Sequence, residues 1–231
     1  NIVDKLSDGF KYTLSHNVTN MSSQEAVLKY REGHSMNAIY GLRTVGVDPQ
    51  TGNRLFLDKN GNVTFAQNAE DMVYLGDSQP KVQGNISTNI AYKGFILTVG
   101  FGVRWGAKQF NATLANKTEN AHFINNLDRR VLTKSWQEPG DVVPYKKLDV
   151  NNTSSNTNVC DAFVQKDNVF QCTNINLTYN FSDDVCKKLR LKGLSLNANL
   201  SDIFYISSIK RERGTSYPFS RNPNFSVSVS F

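Results

Sequence analysis

Apolar and polar residues alternate strictly at the end of the sequence. Phe225, Val227, Val229 and Phe231 occupy every second position, and serines fill the positions between them. Because successive side chains of a strand point to opposite faces, this period of two predicts a strand with one apolar and one polar face. A soluble sheet can show the same pattern, but a transmembrane β-barrel requires it, since lipid contacts one face and an aqueous lumen the other.

The same alternation recurs along the chain and predicts further strands. In the segment 95–105, six apolar residues from Phe95 to Trp105 form one unbroken face. In the segment 168–181 we assign Val169 to the apolar face together with Ile175, and Asn174 to the opposite face. The predicted strands cover residues 10–18, 81–92, 95–105, 168–181, 193–201 and 225–231, with a less regular strand around 37–47.

The composition of the polar face favours a barrel over a soluble sandwich. The outward positions of a soluble sheet are rich in charged residues, whereas here they are mostly Asn, Ser, Thr and Gly. Such small, uncharged side chains suit a crowded, hydrated interior. The apolar face ends in aromatic residues such as Tyr92, Trp105 and Tyr179, as a lipid-facing band with interfacial girdles does.

The connections between the predicted strands differ greatly in length. Tyr92-Lys93-Gly94 is a tight turn, whereas other connections are long and polar. Outer-membrane barrels have short periplasmic turns and longer extracellular loops. The sequence therefore predicts extracellular loops at about 48–80, 110–167 and 207–220, and a periplasmic C-terminus.

About seven tilted strands cannot close a barrel, because their two edges would leave unpaired N–H and C=O groups in lipid. We therefore predict an all-β fold over residues 1–231. It is a transmembrane antiparallel β-barrel segment that is incomplete without the rest of the barrel.

Net charge and hydropathy are compatible with this fold. The 231 residues carry a formal net charge of +6, and the mean hydropathy is −0.43. The sequence lacks the run of about 18 apolar residues that a transmembrane helix needs. Basic residues are scattered, with local clusters only at 187–190 and 210–213, which indicates solvated loops rather than a nucleic-acid-binding surface.

Residues typical of catalysis or metal binding show no organised pattern. No two of the histidines, His16, His34 and His122, lie at ligand spacing. The run Asp58-Lys59-Asn60-Gly61-Asn62 is similar to part of a calcium loop but lacks the closing Glu, and a hairpin turn explains it better. We predict no enzymatic activity, no cofactor and no metal site.

The three cysteines leave two alternatives open. Cys160 and Cys172 can close a disulfide-bonded loop in an oxidising compartment, with Cys186 unpaired, or all three can be free thiols.

An ordered set of short motifs carries a family resemblance. The motifs are Gly33-His34-Ser35, Ile39-Tyr40-Gly41, Val45-Gly46-Val47-Asp48-Pro49-Gln50-Thr51-Gly52, Asp58-Lys59-Asn60-Gly61, Leu75-Gly76-Asp77, Ala91-Tyr92-Lys93-Gly94-Phe95, Trp136-Gln137-Glu138-Pro139-Gly140-Asp141, Asn174-Ile175-Asn176-Leu177-Thr178-Tyr179-Asn180, Leu196-Asn197-Ala198-Asn199-Leu200-Ser201-Asp202-Ile203-Phe204 and the terminal Phe231. In this order they cover nearly the whole chain. The sequence resembles the C-terminal part of a SusC/RagA-type TonB-dependent outer-membrane transporter.

The resemblance implies a barrel of roughly 22 strands with a plugged lumen. It implies import of oligosaccharides or peptides across the bacterial outer membrane, with energy supplied through TonB and with a SusD-like surface lipoprotein as partner. The plug, the TonB-contacting segment and most of the barrel are absent from this sequence. The resemblance therefore implies either one product of a cleaved or split transporter, or a separate chain that carries the remainder. It also implies that Phe231 acts as an assembly signal.

The polar face supplies the candidate substrate path. Its members would face the lumen and offer hydrogen bonds to polar solutes. They are Gln83, Asn85, Asn89, Arg104, Asn174, Asn176, Asn197 and Asn199.

Two aromatic residues of the long loop are candidate contacts for a ligand or a partner. Trp136, with Tyr145 nearby, can stack on a sugar ring or contact another protein, and the alternative is packing within the loop. An alternative function uses the same Trp136: a soluble or surface-attached all-β carbohydrate-binding module.

Overall fold

The computed structural model describes residues 2–7, 30–121, 124, 127–148, 156–210 and 223–231. The chain divides into two compact units, and the division falls within two long strands. We call Asn1–Gln79 with Ala107–Lys166 the core unit, and Pro80–Gly106 with Asp167–Phe231 the sheet unit. The predicted strand at 10–18 and most of the predicted loop at 207–220 lie outside the described residues.

Strands dominate the described chain, which confirms the prediction of an all-β fold. In chain order the strands are β1 (Ala38–Gly41), β2 (Arg43–Val47), β3 (Arg54–Leu57), β4 (Val63–Thr64), β5 (Val73–Asp77), β6 (Val82–Tyr92), β7 (Phe95–Phe110), β8 (Val164–Asn180), β9 (Gly193–Ser207) and β10 (Pro223–Ser230). The α-helices are α1 (Ala112–Thr118), α2 (Arg129–Lys134) and α3 (Asp183–Lys188). Single 3₁₀ turns cover Ala69–Asp71 and Asp161–Phe163. None of the helices in the described part of the chain is long and apolar enough to cross a membrane.

The sheet unit is built on one five-stranded antiparallel sheet in the order β10-β9-β8-β7-β6. The alternation predicts all five strands, although β7 and β9 extend beyond the predicted ends at 105 and 201. Lys93 and Gly94 join β6 to β7, with φ angles of 44° and 86°. Positive φ at both central residues is what the common two-residue hairpin turn requires. An added Cβ on Gly94 would also lie 2.6 Å from the carbonyl oxygen of Asn180.

The outer side chains of this sheet form a continuous apolar face. In the β6–β7 register, Ile86 pairs with Phe101 and Ile90 with Leu97, while Gln83 and Asn89 belong to the opposite face. The face continues into the other strands, where the Phe101 and Phe170 rings stack with centroids 5.7 Å apart. Many of its members are exposed: Val82, Ile86, Ile90, Tyr92, Trp105, Phe170, Leu177, Leu196, Ile206, Phe225, Val227 and Val229.

The assignment of Val169 to this apolar face is wrong. Cys172 pairs with Phe204, but the next pair is Asn174 with Ser201, so β9 has one residue more than β8 at this point. Such a bulge shifts the alternation between the two sides of the irregularity. Phe170 stacks on Phe101 of the apolar face, whereas Val169 lines a pocket on the polar face, so Phe170, and not Val169, shares a face with Ile175.

Strands are present where one is predicted around 37–47, but the chain is divided there into β1 and β2. β1 pairs with β5, whereas β2 pairs with β3 in a separate three-stranded sheet that ends with β4. The cause is the fully buried Leu42 between them, whose N–H donates to the Val159 carbonyl (2.9 Å) and whose carbonyl accepts from Asp161 (3.0 Å). These two backbone bonds interrupt the pairing on either side.

The core unit contains the hydrophobic core of the described chain, although the sequence predicts extended loops for much of it. The core side chains come from short segments distant in sequence: Leu42, Phe56, Met72, Ala115, Cys160 and Phe163. A salt bridge lies within the unit, because the Arg54 guanidinium donates to the fully buried Glu119 carboxylate through two nitrogens and also to the Pro144 carbonyl. The Glu119 carboxylate also accepts the Lys146 N–H at 3.1 Å.

The run from Asp58 to Asn62 forms a hairpin turn, as predicted. It joins β3 to β4, whose register pairs Leu57 with Val63. The Asp58 carboxylate accepts the N–H groups of Asn60 and Asn62, each at 2.8 Å, and the pKa of this carboxyl is lowered mainly by its bonds to Asn62. The carboxylate therefore stabilises the turn itself.

Candidate functional site

A polar pocket of about 330 Å³ lies on the polar face of the sheet unit. It is lined by Gln83, Asn85, Gly102, Val103, Arg104, Val169, Gln171 and Tyr205. The β6–β7 register places Gln83 directly opposite Arg104 and Asn85 opposite Gly102, so the predicted residues Gln83, Asn85 and Arg104 meet at one site. Gln171 and Tyr205, a directly paired couple of β8 and β9, complete it.

Arg104 is the cation of this pocket. Its Nη2 donates to Asp167 Oδ2 at 3.1 Å and to the Tyr205 hydroxyl at 3.4 Å. The Asp167 side chain is only 9% exposed, whereas that of Arg104 is 43% exposed. The second Asp167 oxygen accepts from the Ser207 hydroxyl at 3.4 Å. A buried, hydrogen-bonded carboxylate thus holds one nitrogen of a guanidinium that is still accessible to solvent.

Two glycines of β7 make room for polar side chains on this face. A Cβ on Gly102 would lie 3.1 Å from Gln171 Nε2 and 3.4 Å from Asn85 Oδ1. A Cβ on Gly100 would overlap the side chains of Thr173 and Asn174. Neither glycine has a positive φ, so backbone conformation does not require glycine at these positions. Close packing against the polar side chains does.

The other predicted path residues lie outside the pocket. Asn176 and Asn197 form a hydrogen-bonded pair, in which Asn197 Nδ2 donates to Asn176 Oδ1 at 2.7 Å and to Thr178 Oγ1 at 2.9 Å. Asn199 is directly opposite Asn176, and Asn89 is opposite Thr98. Asn174 accepts from the Thr173 hydroxyl at 3.1 Å. The polar face therefore consists of a pocket at Arg104 and an asparagine ladder on β8 and β9.

Sequence reasoning missed Gln171 and Tyr205. Tyr205 lies beyond the predicted end of its strand, and Gln171 lies before the bulge that shifts the alternation of β8 against β9. The signal for Gln171 was its position between Phe170 and Cys172, which alternate with it as apolar residues.

Trp136 and Tyr145 pack within the core unit. Trp136 Nε1 donates to the Pro49 carbonyl at 2.8 Å, and its ring lies against Gly52, where an added Cβ would clash. Tyr145 stacks on Phe163 with an interplanar angle of 8°. Loop packing accounts for both residues, so a ligand or partner contact through either stays a prediction.

The disulfide between Cys160 and Cys172 is not formed. Both residues and Cys186 are buried free thiols. Burial raises the pKa of the Cys160 thiol to about 12, so this group stays protonated. Of the two alternatives, the structure shows three free thiols.

No cluster of three or more His, Cys, Asp or Glu side chains that could hold a metal is found among the described residues. Phe231 follows β10 and is 83% exposed, and its role in assembly stays a prediction.

Solved structures of one transporter system share this arrangement of strands. The chain superposes on the RagAB peptide importer in its open-open state with a TM-score of 0.67 and 17% identity, over 87% of this chain and 23% of that one. The chain has the fold of a part of RagAB. The closed-closed state gives a TM-score of 0.65 at 17% identity, over 87% and 24% of the two chains. A further RagAB peptide transporter structure gives 0.60 at 17% identity, over 79% and 20%.

The likeness to RagAB confirms, for the fold, the resemblance to SusC/RagA-type transporters. The chain spans about a quarter of the RagAB chains that it matches. No protein-family model matches the sequence, and no curated protein matches it.

Proposed function

We propose that this chain forms part of the barrel wall of a SusC-like TonB-dependent importer in the bacterial outer membrane. The observation that carries the proposal is the two-faced sheet: one face exposes Ile86, Ile90 and Val227 without a covering layer in the described chain, and the other is polar. Lipid outside and water inside satisfy both faces at once. In water, an exposed apolar face of this extent marks an interaction surface.

The polar face lines the route of a polar solute in this proposal. The pocket at Arg104 and the ladder of Asn176 and Asn197 offer both donors and acceptors along it. The solute is an oligosaccharide or a peptide, and the RagAB likeness, whose structures are of a peptide importer, supports the peptide. The protein acts in transport and not as an enzyme.

Partners complete the assembly. Among the described residues, β6 and β10 each have one neighbouring strand, so further strands pair with them in the closed barrel. The rest of the barrel supplies those strands, a plug supplies the TonB contact, and a SusD-like surface lipoprotein covers the extracellular mouth. The C-terminus faces the periplasm, and Phe231 is read during assembly.

The packing of Trp136 argues against the alternative function, a carbohydrate-binding module. It depended on an available Trp136 ring, but that ring packs on Gly52 and its N–H is bonded to Pro49. The carbohydrate-binding module therefore remains only as the alternative function if the test below contradicts the importer.

Purification from native membranes tests the proposal. The chain should require detergent, and intact mass measurement should identify the plug and the remaining strands, on the same or an accompanying polypeptide, together with a lipoprotein. A monomer that stays soluble without detergent would contradict the importer and favour the module.

A further inference from the structure

The pocket beside Arg104 has hydrogen-bonding capacity that the described chain does not use. A guanidinium carries five N–H donors, and the bonds that Arg104 makes to Asp167 and to Tyr205 both come from Nη2. Within the described residues, the side-chain amides of Gln83, Asn85 and Gln171 also have no hydrogen-bond partner. The pocket thus combines a cation with several available N–H groups.

A second cation lies close to the pocket on the same face. Lys81 donates its N–H to the Trp105 carbonyl at 2.9 Å, and its side-chain carbons pass over Gly106, 3.0 to 3.2 Å from where a Cβ would lie. At this end of the polar face, the Asp167 carboxylate neutralises Arg104, and Lys81 adds a further positive charge. The local charge is therefore positive.

Arg104 is also held in place. The Asp167 carboxylate is almost fully buried and fixes Nη2, so little side-chain entropy is lost when the remaining N–H groups bind a ligand. Gly102 keeps the floor of the pocket open, since a Cβ there would crowd Gln171 and Asn85.

We propose that the pocket at Arg104 binds a carboxylate group of the imported solute. Arg104 is the anion-binding group, and the amides of Gln83, Asn85 and Gln171 donate further hydrogen bonds. Carboxylates match the planar guanidinium and gain from charge-assisted hydrogen bonds. This inference rests on the proposed function, because the solute reaches the pocket only if the polar face lines the route.

Two classes of solute carry this chemistry: acidic peptides and oligosaccharides that contain uronic acids. The experiment uses the transporter purified from membranes with its accompanying chains, and two matched pairs of probes. One pair is a glutamate-containing peptide and its glutamine counterpart, both amidated at the C-terminus so that the glutamine peptide carries no carboxylate. The other is an oligogalacturonide and the neutral galactose oligomer of equal length.

We expect the acidic member of one pair to bind more tightly than its neutral counterpart, and that pair identifies the class of solute. Arg104→Gln should weaken binding of the acidic probe about 10- to 100-fold and leave the neutral probe unchanged, as the loss of hydrogen bonds to a charged group predicts. Arg104→Lys should fall between, because it keeps the charge and loses the planar fork. Arg43→Gln, at an exposed arginine of the core unit, is the matched control and should change neither.

Equal binding of both members of each pair to the unaltered transporter would overturn the inference, even if the Arg104 variants failed to assemble. An Arg104→Gln variant that weakens acidic and neutral probes equally would overturn it too, since Arg104 would then only shape the pocket. A chain that needs no detergent would instead overturn the proposed function, so the two failures can be told apart.

Discussion

The core unit buries a cluster of apolar side chains, whereas the sheet unit exposes many of its own. In the core unit, Leu42 and Phe163 are almost completely buried, and even the charges of Arg54 and Glu119 are enclosed as a pair. In the sheet unit, Ile86 and Val227 are more than 60% exposed, while polar side chains crowd the opposite face.

The difference is explained if water surrounds the core unit and lipid covers the apolar face of the sheet unit. A domain in water buries apolar groups against one another, as the core unit does. A sheet that displays apolar groups gains free energy only if something other than water covers them, and lipid does so in the proposed barrel. Variants that change one unit or one face at a time test this contrast.

The largest effect should come from the buried ion pair of the core unit. Glu119→Gln leaves the Arg54 charge buried without its counter-charge, which should cost about 3–5 kcal/mol of stability in this unit. Hydrogen exchange measured by mass spectrometry should show faster exchange in peptides of the core unit. Glu70→Gln is the control, since the Lys59–Glu70 pair is exposed and should contribute at most about 1 kcal/mol. Equal exchange in both variants would show that burial of the pair is unimportant.

A charge on the apolar face should block assembly. Val99→Lys places an ammonium on the apolar face, which contacts lipid in the proposed barrel, and should cost about 2–4 kcal/mol near the bilayer centre. Leu196→Lys should act in the same way on β9. Thr98→Lys is the matched control, because Thr98 pairs with Asn89 on the polar face. The amount of chain in the outer-membrane fraction measures the effect, and equal amounts for Val99→Lys and Thr98→Lys would contradict the assignment of faces.

A smaller effect is expected at the β6–β7 turn. Gly94→Ala forces a side chain into the left-handed region at φ 86°, which should cost about 1–2 kcal/mol, and its Cβ also crowds the Asn180 carbonyl. Gly84→Ala is the control, since an added Cβ on Gly84 would meet open space and this glycine has no positive φ. The thermal midpoint of the assembled transporter should fall only for Gly94→Ala. A fall of equal size in both variants would mean that the turn geometry is not limiting.

The smallest effect should be a pH dependence of helix α2. Asp128 accepts the Arg130 N–H at the start of this helix, and its bonds to the Arg130 side chain are the main cause that lowers its pKa from 3.8 to about 2. Because the folded pKa lies below the unfolded one, the stabilisation is present above about pH 4 and is lost as the pH falls towards 2.

Amide protection in α2 should therefore weaken over that pH window, by about 1 kcal/mol at most for a cap of this kind. Asp128→Asn should remove the pH dependence and keep a capping side chain. If amide protection in Asp128→Asn still weakened between about pH 4 and 2, another group would be responsible for the pH dependence.

The sheet unit could be predicted well because one signal, a period of two, decides each of its strands. The alternation within each strand assigns Gln83, Asn85 and Arg104 to the polar face, and the β6–β7 register brings them to one pocket. The alternation no longer predicts the face where the register shifts between Cys172 and Asn174. For this reason Val169 was assigned to the wrong face and Gln171 was missed.

The core unit could not be predicted because its core has no period. Leu42, Met72 and Cys160 come from segments far apart in sequence, and each segment is too short to show a pattern. The Arg54–Glu119 pair spans 65 residues of sequence and has no local signal. Polar composition made these segments look like open loops, whereas helix caps, short strands and a buried ion pair fold them into a compact unit.

Nitroxide scanning of β10 in the membrane-embedded transporter tests the central claim most directly. Single labels at positions 225 to 229 compare accessibility to oxygen, which partitions into lipid, with accessibility to a water-soluble nickel chelate. The native cysteines are buried, so the introduced thiols can be labelled selectively. We expect oxygen accessibility to peak at Phe225, Val227 and Val229, and nickel accessibility to peak at Ser226 and Ser228. Equal nickel accessibility at all five positions would contradict a lipid-facing sheet.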